Sequence, residues 1–125
     1  MTEQDYTNLK NWNHDVQNYM IGLAYLMDMR RYPEAFRYCE KLLSCVKEFA
    51  VIFQKDSACD YPEHFLKFQN DFQTGLTNLE TLLRRKEYPK AHYKLSRLQA
   101  TFEQNRFQPY KSENLVNSIL ERLKV

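Results

Sequence analysis

Along this chain the apolar side chains return every three or four positions, the period that gathers them on one face of an α-helix. From Tyr6 to Arg30 the stripe runs Leu9, Trp12, Val16, Met20, Leu23 and Met27, which predicts one long first helix. Arg30 and Arg31 lead into Tyr32-Pro33-Glu34-Ala35. Proline is tolerated in a first helical turn because the N–H it lacks has no partner there, so a second helix starts at this point. Its inner face reads Ala35, Cys39, Leu42, Val46, Phe49 and Phe53, and the polar run from Gln54 to Asp60 reads as a loop. Asp60, with Pro62 in the first turn and Glu63 three residues on, is expected to form a capping box for a third helix. That helix carries Phe65, Phe68, Phe72, Leu76, Leu79 and Leu83. Arg84-Arg85-Lys86-Glu87 then leads to Tyr88-Pro89-Lys90-Ala91 and a fourth helix through Leu95, Leu98 and Phe102. Beyond a break around Pro109, Ser112 is placed to cap a short last helix through Leu115, Ile119 and Leu123.

The second pair of helices repeats the first. An offset of 56, the distance from Tyr32 to Tyr88, pairs Leu9 with Phe65, Trp12 with Phe68, Val16 with Phe72, Met20 with Leu76, Leu23 with Leu79 and Met27 with Leu83. It also pairs Pro33 with Pro89, Ala35 with Ala91, Cys39 with Leu95 and Leu42 with Leu98, without a gap. Matching stripes are common among amphipathic helices, but a shared Tyr-Pro-x-Ala in the same phase points to a duplicated hairpin. Short connections join antiparallel neighbours. The expected architecture is therefore all-α: an antiparallel up-down four-helix bundle of two duplicated helical hairpins, about 6–54 and 61–104, plus a short C-terminal helix at about 112–124, in one domain over 1–125.

Composition narrows the function. Two glycines are too few for a glycine-rich phosphate loop, a dinucleotide fingerprint or a glycine-flanked serine elbow. The 18 basic and 16 acidic residues leave a net charge of +2, well short of what a protein that neutralises a run of nucleic-acid phosphates carries. No apolar run reaches bilayer length, and the opening MTEQDYTNLKNW lacks the basic flank and greasy middle of a secretion signal, so a cytoplasmic location is expected. Cys39, Cys45 and Cys59 form an odd set without metal-site spacing and read as ordinary thiols, Cys39 as a core residue. His14, His64 and His92 are not paired at metal-ligand spacing, and the expected inward positions are all apolar, so no metal or other cofactor is expected.

One cluster stands out. An up-down bundle puts the ends of the first and third helices at the same pole, so Arg30, Arg31 and Tyr32 are expected beside Arg84, Arg85, Lys86 and Tyr88. Cations interleaved with tyrosines suit an acidic peptide, a phosphate-bearing ligand or a short single strand of nucleic acid. Cations at helix C-termini also answer the partial charge of unpaired carbonyls and need no ligand for that. Tyr19, Tyr25, Tyr38 and Tyr93 lie off the main stripes. They are available either to a broad core or to a partner.

Two family resemblances bear on function. Arg85 and His92 have a spacing that resembles the Arg–His motif of the four-helix nucleases called HEPN, which would imply RNA cleavage. Lys86 stands where that motif has Asn or Asp, however, and Tyr88-Pro89 places a turn between the two residues. Ile21-Gly22-Leu23-Ala24-Tyr25 followed by Tyr32-Pro33-Glu34-Ala35-Phe36-Arg37-Tyr38 resembles a tetratricopeptide repeat over about two dozen residues, although the copies here are 56 apart and not 34. That resemblance implies peptide or protein binding. The expected function is a non-catalytic protein-interaction module of adaptor, chaperone-like or immunity type, with another protein or acidic peptide as partner. The alternatives are an RNA-cleaving enzyme and a structural subunit that associates with copies of itself.

Overall fold

The first helix begins earlier than its apolar stripe. In the computed structural model, which describes residues 2–54 and 61–105, α1 spans Glu3–Asp28, α2 Tyr32–Gln54, α3 Glu63–Arg84 and α4 Tyr88–Asn105. Thr2 caps α1: its hydroxyl accepts the Asp5 N–H at 3.1 Å while the Asp5 carboxylate accepts the Thr2 N–H at 2.9 Å. Two orphan N–H groups are thereby satisfied reciprocally, which extends the helix by a turn upstream of Tyr6. The N-cap of α3 is Pro62, two residues after the expected Asp60. Proline has no side-chain acceptor, and the helix starts instead on the Pro62 carbonyl, taking the N–H groups of Phe65 and Leu66 at 3.0 and 3.1 Å. Asp60, Cys59 and the C-terminal helix expected at 112–124 lie outside the described residues.

The four helices run up, down, up and down, each packed along its sequence neighbour, and α4 returns toward α1 along a thinner seam. Closure comes from the rings. Trp12 of α1 is fully buried, with its ring 5.0, 5.8 and 6.1 Å from Phe65, Phe68 and Phe72 of α3 and 5.7 Å from Phe102 of α4. Edge-on contacts of this kind each add about 0.5–1.5 kcal/mol beyond the area they bury. Below this layer Phe53 of α2 meets Phe65 at 5.3 Å and Tyr61 at 5.0 Å, and Asn8 of α1 donates to the Tyr61 hydroxyl at 3.2 Å.

All the stripe residues of α1, α3 and α4 are buried as expected. In α2 the face is wider than the stripe: Leu43 and Ala50 are buried and Phe49 only half so. The expectation of purely apolar inward positions needs correction, because Asp5, Asn13 and Gln69 are also buried. Asp5 serves the α1 cap, and Gln69 of α3 donates to the Val46 carbonyl of α2 at 3.1 Å. Both bonds satisfy groups that burial would otherwise strand. The Asn13 side-chain oxygen and the Trp12 indole N–H have no partner among the described residues. Gly22 lets α1 and α2 approach: a Cβ there would sit 2.6 Å from the Tyr38 ring, which lies 5.3 Å from Tyr19.

Candidate functional site

The basic pole is built from two copies of one bend. At the end of α1 the Arg30 N–H bonds to the Met27 carbonyl at 3.0 Å and the Arg31 N–H to the Leu26 carbonyl at 2.9 Å. At the end of α3 the Lys86 N–H bonds to Leu83 at 3.1 Å and the Glu87 N–H to Leu82 at 2.9 Å, the same pattern 56 residues on. This is the Schellman closure, which satisfies the last carbonyls of a helix by turning one residue left-handed. That residue is Arg30 in the first bend, with φ 57°, and Lys86 in the second, with φ 59°. A side-chain-bearing residue in this region costs about 1 kcal/mol relative to the right-handed form, and glycine is the usual occupant. Both bends carry a cation there instead.

The bends meet through their tyrosines. Tyr32 opens α2 and Tyr88 opens α4, and their rings stack at 3.7 Å between centroids and 5° between planes. The hydroxyl of Tyr32 hydrogen-bonds Nε2 of His92 at 2.9 Å, one turn further along α4. This places the predicted residues Arg30, Arg31, Tyr32, Arg84, Arg85, Lys86 and Tyr88 at one end of the bundle.

The cations are not equivalent. Arg31 pairs with Glu34 at 3.3 Å, and Arg84 pairs with Glu80 while its guanidinium lies 5.8 Å from the centre of the Phe36 ring. The second bend pairs Glu87 with Lys90 at 3.5 Å, the same two positions as Arg31 and Glu34 with the signs exchanged. The Glu34 carboxyl is held below its ordinary value by its own backbone N–H in the first turn of α2, against a smaller opposing effect of burial, and then by Arg31. The side chains of Arg30, Arg85 and Lys86 have no hydrogen-bond or ion-pair partner among the described residues. Because backbone N–H groups already close the helix ends, these three cations are not spent on bonds to the last carbonyls.

Comparison with family models, with known proteins and with solved structures returns no match.

The other predicted residues fall as follows. His92 is bonded to Tyr32, while Arg85 is the exposed C-cap of α3 and makes no bond to His92. Tyr19 and Tyr38 cover each other between α1 and α2, whereas Tyr25 and Tyr93 stay exposed. Burial pushes the Cys39 thiol up to about 12, with Glu80 and Glu40 adding to it, and Cys39 lies against the Leu76 carbonyl at 3.9 Å. Burial, then Asp15 and Glu48, push Cys45 up to about 11. Neither thiol offers a thiolate near neutral pH. No helix among the described residues is long and apolar enough to cross a membrane.

Sequence reasoning missed one feature of this end of the molecule. Ile21, Tyr25 and Met29 form an exposed apolar row on α1 that climbs to the first bend. Their spacing of four was visible in the sequence, but only the position of the core face shows that the row points outward.

Proposed function

We propose that this protein is a small, non-catalytic interaction module that receives an acidic segment of another protein at its basic pole. The observation that carries the reading is the Tyr32–Tyr88 stack, which brings the two bends to one end of the bundle, where Arg30, Arg85 and Lys86 are all exposed. Three exposed cations carried on bends whose backbone is closed by its own hydrogen bonds make an anion receptor. Charge-assisted bonds to carboxylates are about twice as strong as neutral ones. The fixed backbone of the bends removes the cost of ordering a loop on binding. The local likeness to tetratricopeptide hairpins, whose family binds peptides, supports the same class of activity. The near-balanced charge of the chain favours a protein partner over a nucleic acid.

The test compares wild type with the variant Arg30→Gln, Arg85→Gln, Lys86→Gln. Tagged protein is used to recover partners from the native host at low and at raised salt, with melting temperature recorded in parallel. Because all three residues are exposed and unpaired, the variant is expected to melt within a few degrees of wild type. It should lose the partners that wild type releases on adding salt. Identical recovery from both proteins removes the pole as a receptor.

A further inference from the structure

The proposed pole continues into a second surface. Ile21 and Tyr25 of α1 and its C-cap Met29 recur every four residues and are 61, 63 and 57% exposed. Together they form an apolar ridge about 12 Å long at 1.5 Å per residue. The ridge ends at Arg30, one of the three unpaired cations.

Scattered exposed apolar residues need no explanation, but this chain holds an internal control. At the offset that superposes both bends bond for bond, the three positions correspond to Thr77, Thr81 and Arg85 of α3. There the same helix face in the same fold is polar. The Thr77 and Thr81 hydroxyls merely turn back onto the carbonyls of Gln73 and Thr77 at 3.1 Å. The architecture therefore does not require apolar side chains at these positions. Beside Ile21 the thin seam between α1 and α4 also opens a groove of about 210 Å³, lined by Met20 and Phe102 together with Gln17, Gln99 and Glu103. A side chain reaching past Ile21 would find apolar surface there.

We infer that this ridge and the basic pole form one docking surface for an amphipathic helix of another protein, lying antiparallel along α1 with acidic residues in its first turn. The inference rests on the reading of the pole as an anion receptor and adds the shape and direction of the partner. Residues spaced by four match the side chains of a second helix packed alongside. In the antiparallel arrangement the partner's first turn lies over the bends, where acidic residues complement both Arg30, Arg85 and Lys86 and that helix's own positive end. A second copy of this chain fits less well, because it would bring another net-positive surface to the same cations.

The test transplants the polar face of α3 onto α1 in the full-length chain: Ile21→Thr, Tyr25→Thr and Met29→Thr, with threonine at the last position so that no cation is added to the pole. The variant should fold, because all three residues are exposed and α3 already carries threonine at the first two positions in this register, and melting temperature checks this. The probe is a labelled synthetic helix of about five turns, with leucines at every third or fourth position and glutamates throughout its first turn. Fluorescence anisotropy should show the transplant weakening binding about tenfold or more. The pole variant Arg30→Gln, Arg85→Gln, Lys86→Gln, or glutamine in place of the probe's glutamates, should abolish the salt dependence. Binding that depends on the pole but survives the transplant overturns this inference and leaves the pole reading standing; binding that ignores the pole overturns the pole reading. Two further results overturn the inference. In one, sedimentation shows a wild-type dimer that the transplant dissociates, so a second copy is the occupant. In the other, the transplant accelerates hydrogen exchange within 106–125, so the chain covers its own ridge.

Discussion

On the outer face of α1, three successive turns present Ile21, Tyr25 and Met29, whereas α3 in the same register presents Thr77, Thr81 and Arg85. The two hairpins nonetheless close with the same turn, matching in every backbone bond of the bend to within 0.1 Å. The stripe positions correspond in kind, Trp12 with Phe68 and Leu23 with Leu79, while the outer face of α1 diverges from that of α3. Even the ion pair after the bend survives with its charges exchanged, Arg31–Glu34 against Glu87–Lys90. The fold constrains volume, apolarity and one left-handed residue per bend. It leaves the sign of a surface charge free. Where the hairpins differ on the outside, the difference is available for recognition.

The comparison can be broken most severely in the core. Trp12 touches four rings that come from both hairpin 2 helices, so Trp12→Ala is expected to lower unfolding free energy by about 3–5 kcal/mol in urea denaturation. Trp12→Phe, which installs the residue that hairpin 2 uses, should cost much less, since it also removes the unpaired indole N–H. An equal loss in both variants would mean that the indole ring itself, and not apolar filling, is required.

A smaller asymmetry sits one layer outward. Gly22→Ala pushes the Tyr38 ring off Tyr19 and should cost about 1–2 kcal/mol after the better helix propensity of alanine is counted. Asn78, the corresponding residue of α3, is exposed, and Asn78→Ala should be neutral or slightly stabilising. Thermal melts of the two variants should therefore move in different directions.

The bends should respond alike. Arg30→Gly and Lys86→Gly each relieve a left-handed side-chain-bearing residue and are expected to raise stability by up to about 1 kcal/mol, by similar amounts because both bends have the same geometry. Failure of either variant to gain would show that its cation contributes to the fold beyond its backbone conformation. The smallest expected effect separates the stacked tyrosines. Tyr32→Phe loses the bond to His92 and should cost about 0.5–1 kcal/mol, while Tyr88→Phe, whose hydroxyl has no partner among the described residues, should leave the melting temperature unchanged.

Much of this molecule was legible in the chain. The 3.6-residue period fixed which faces of Leu9–Met27 and Phe65–Leu83 turn inward, and the repeated Tyr-Pro-x-Ala fixed both bends and their phase. Local chemistry at helix starts was read less well. Thr2 caps α1 with Asp5, a Thr-x-x-Asp signal that lay upstream of the first apolar residue, and Pro62 took the α3 cap that Asp60 was expected to hold.

What the amino acids determined unaided was periodicity, because burial of an apolar face depends on spacing along a single helix. What only the tertiary structure decided was proximity. The 3.7 Å stack of Tyr32 on Tyr88, the bond from Tyr32 to His92, and the difference between engaged Arg31 and Arg84 and unpaired Arg30, Arg85 and Lys86 all join residues that short-range pattern cannot relate. The physical reason is that helix direction is a local property, whereas the packing of two hairpins into one bundle sets which ends meet and which cations are left facing water.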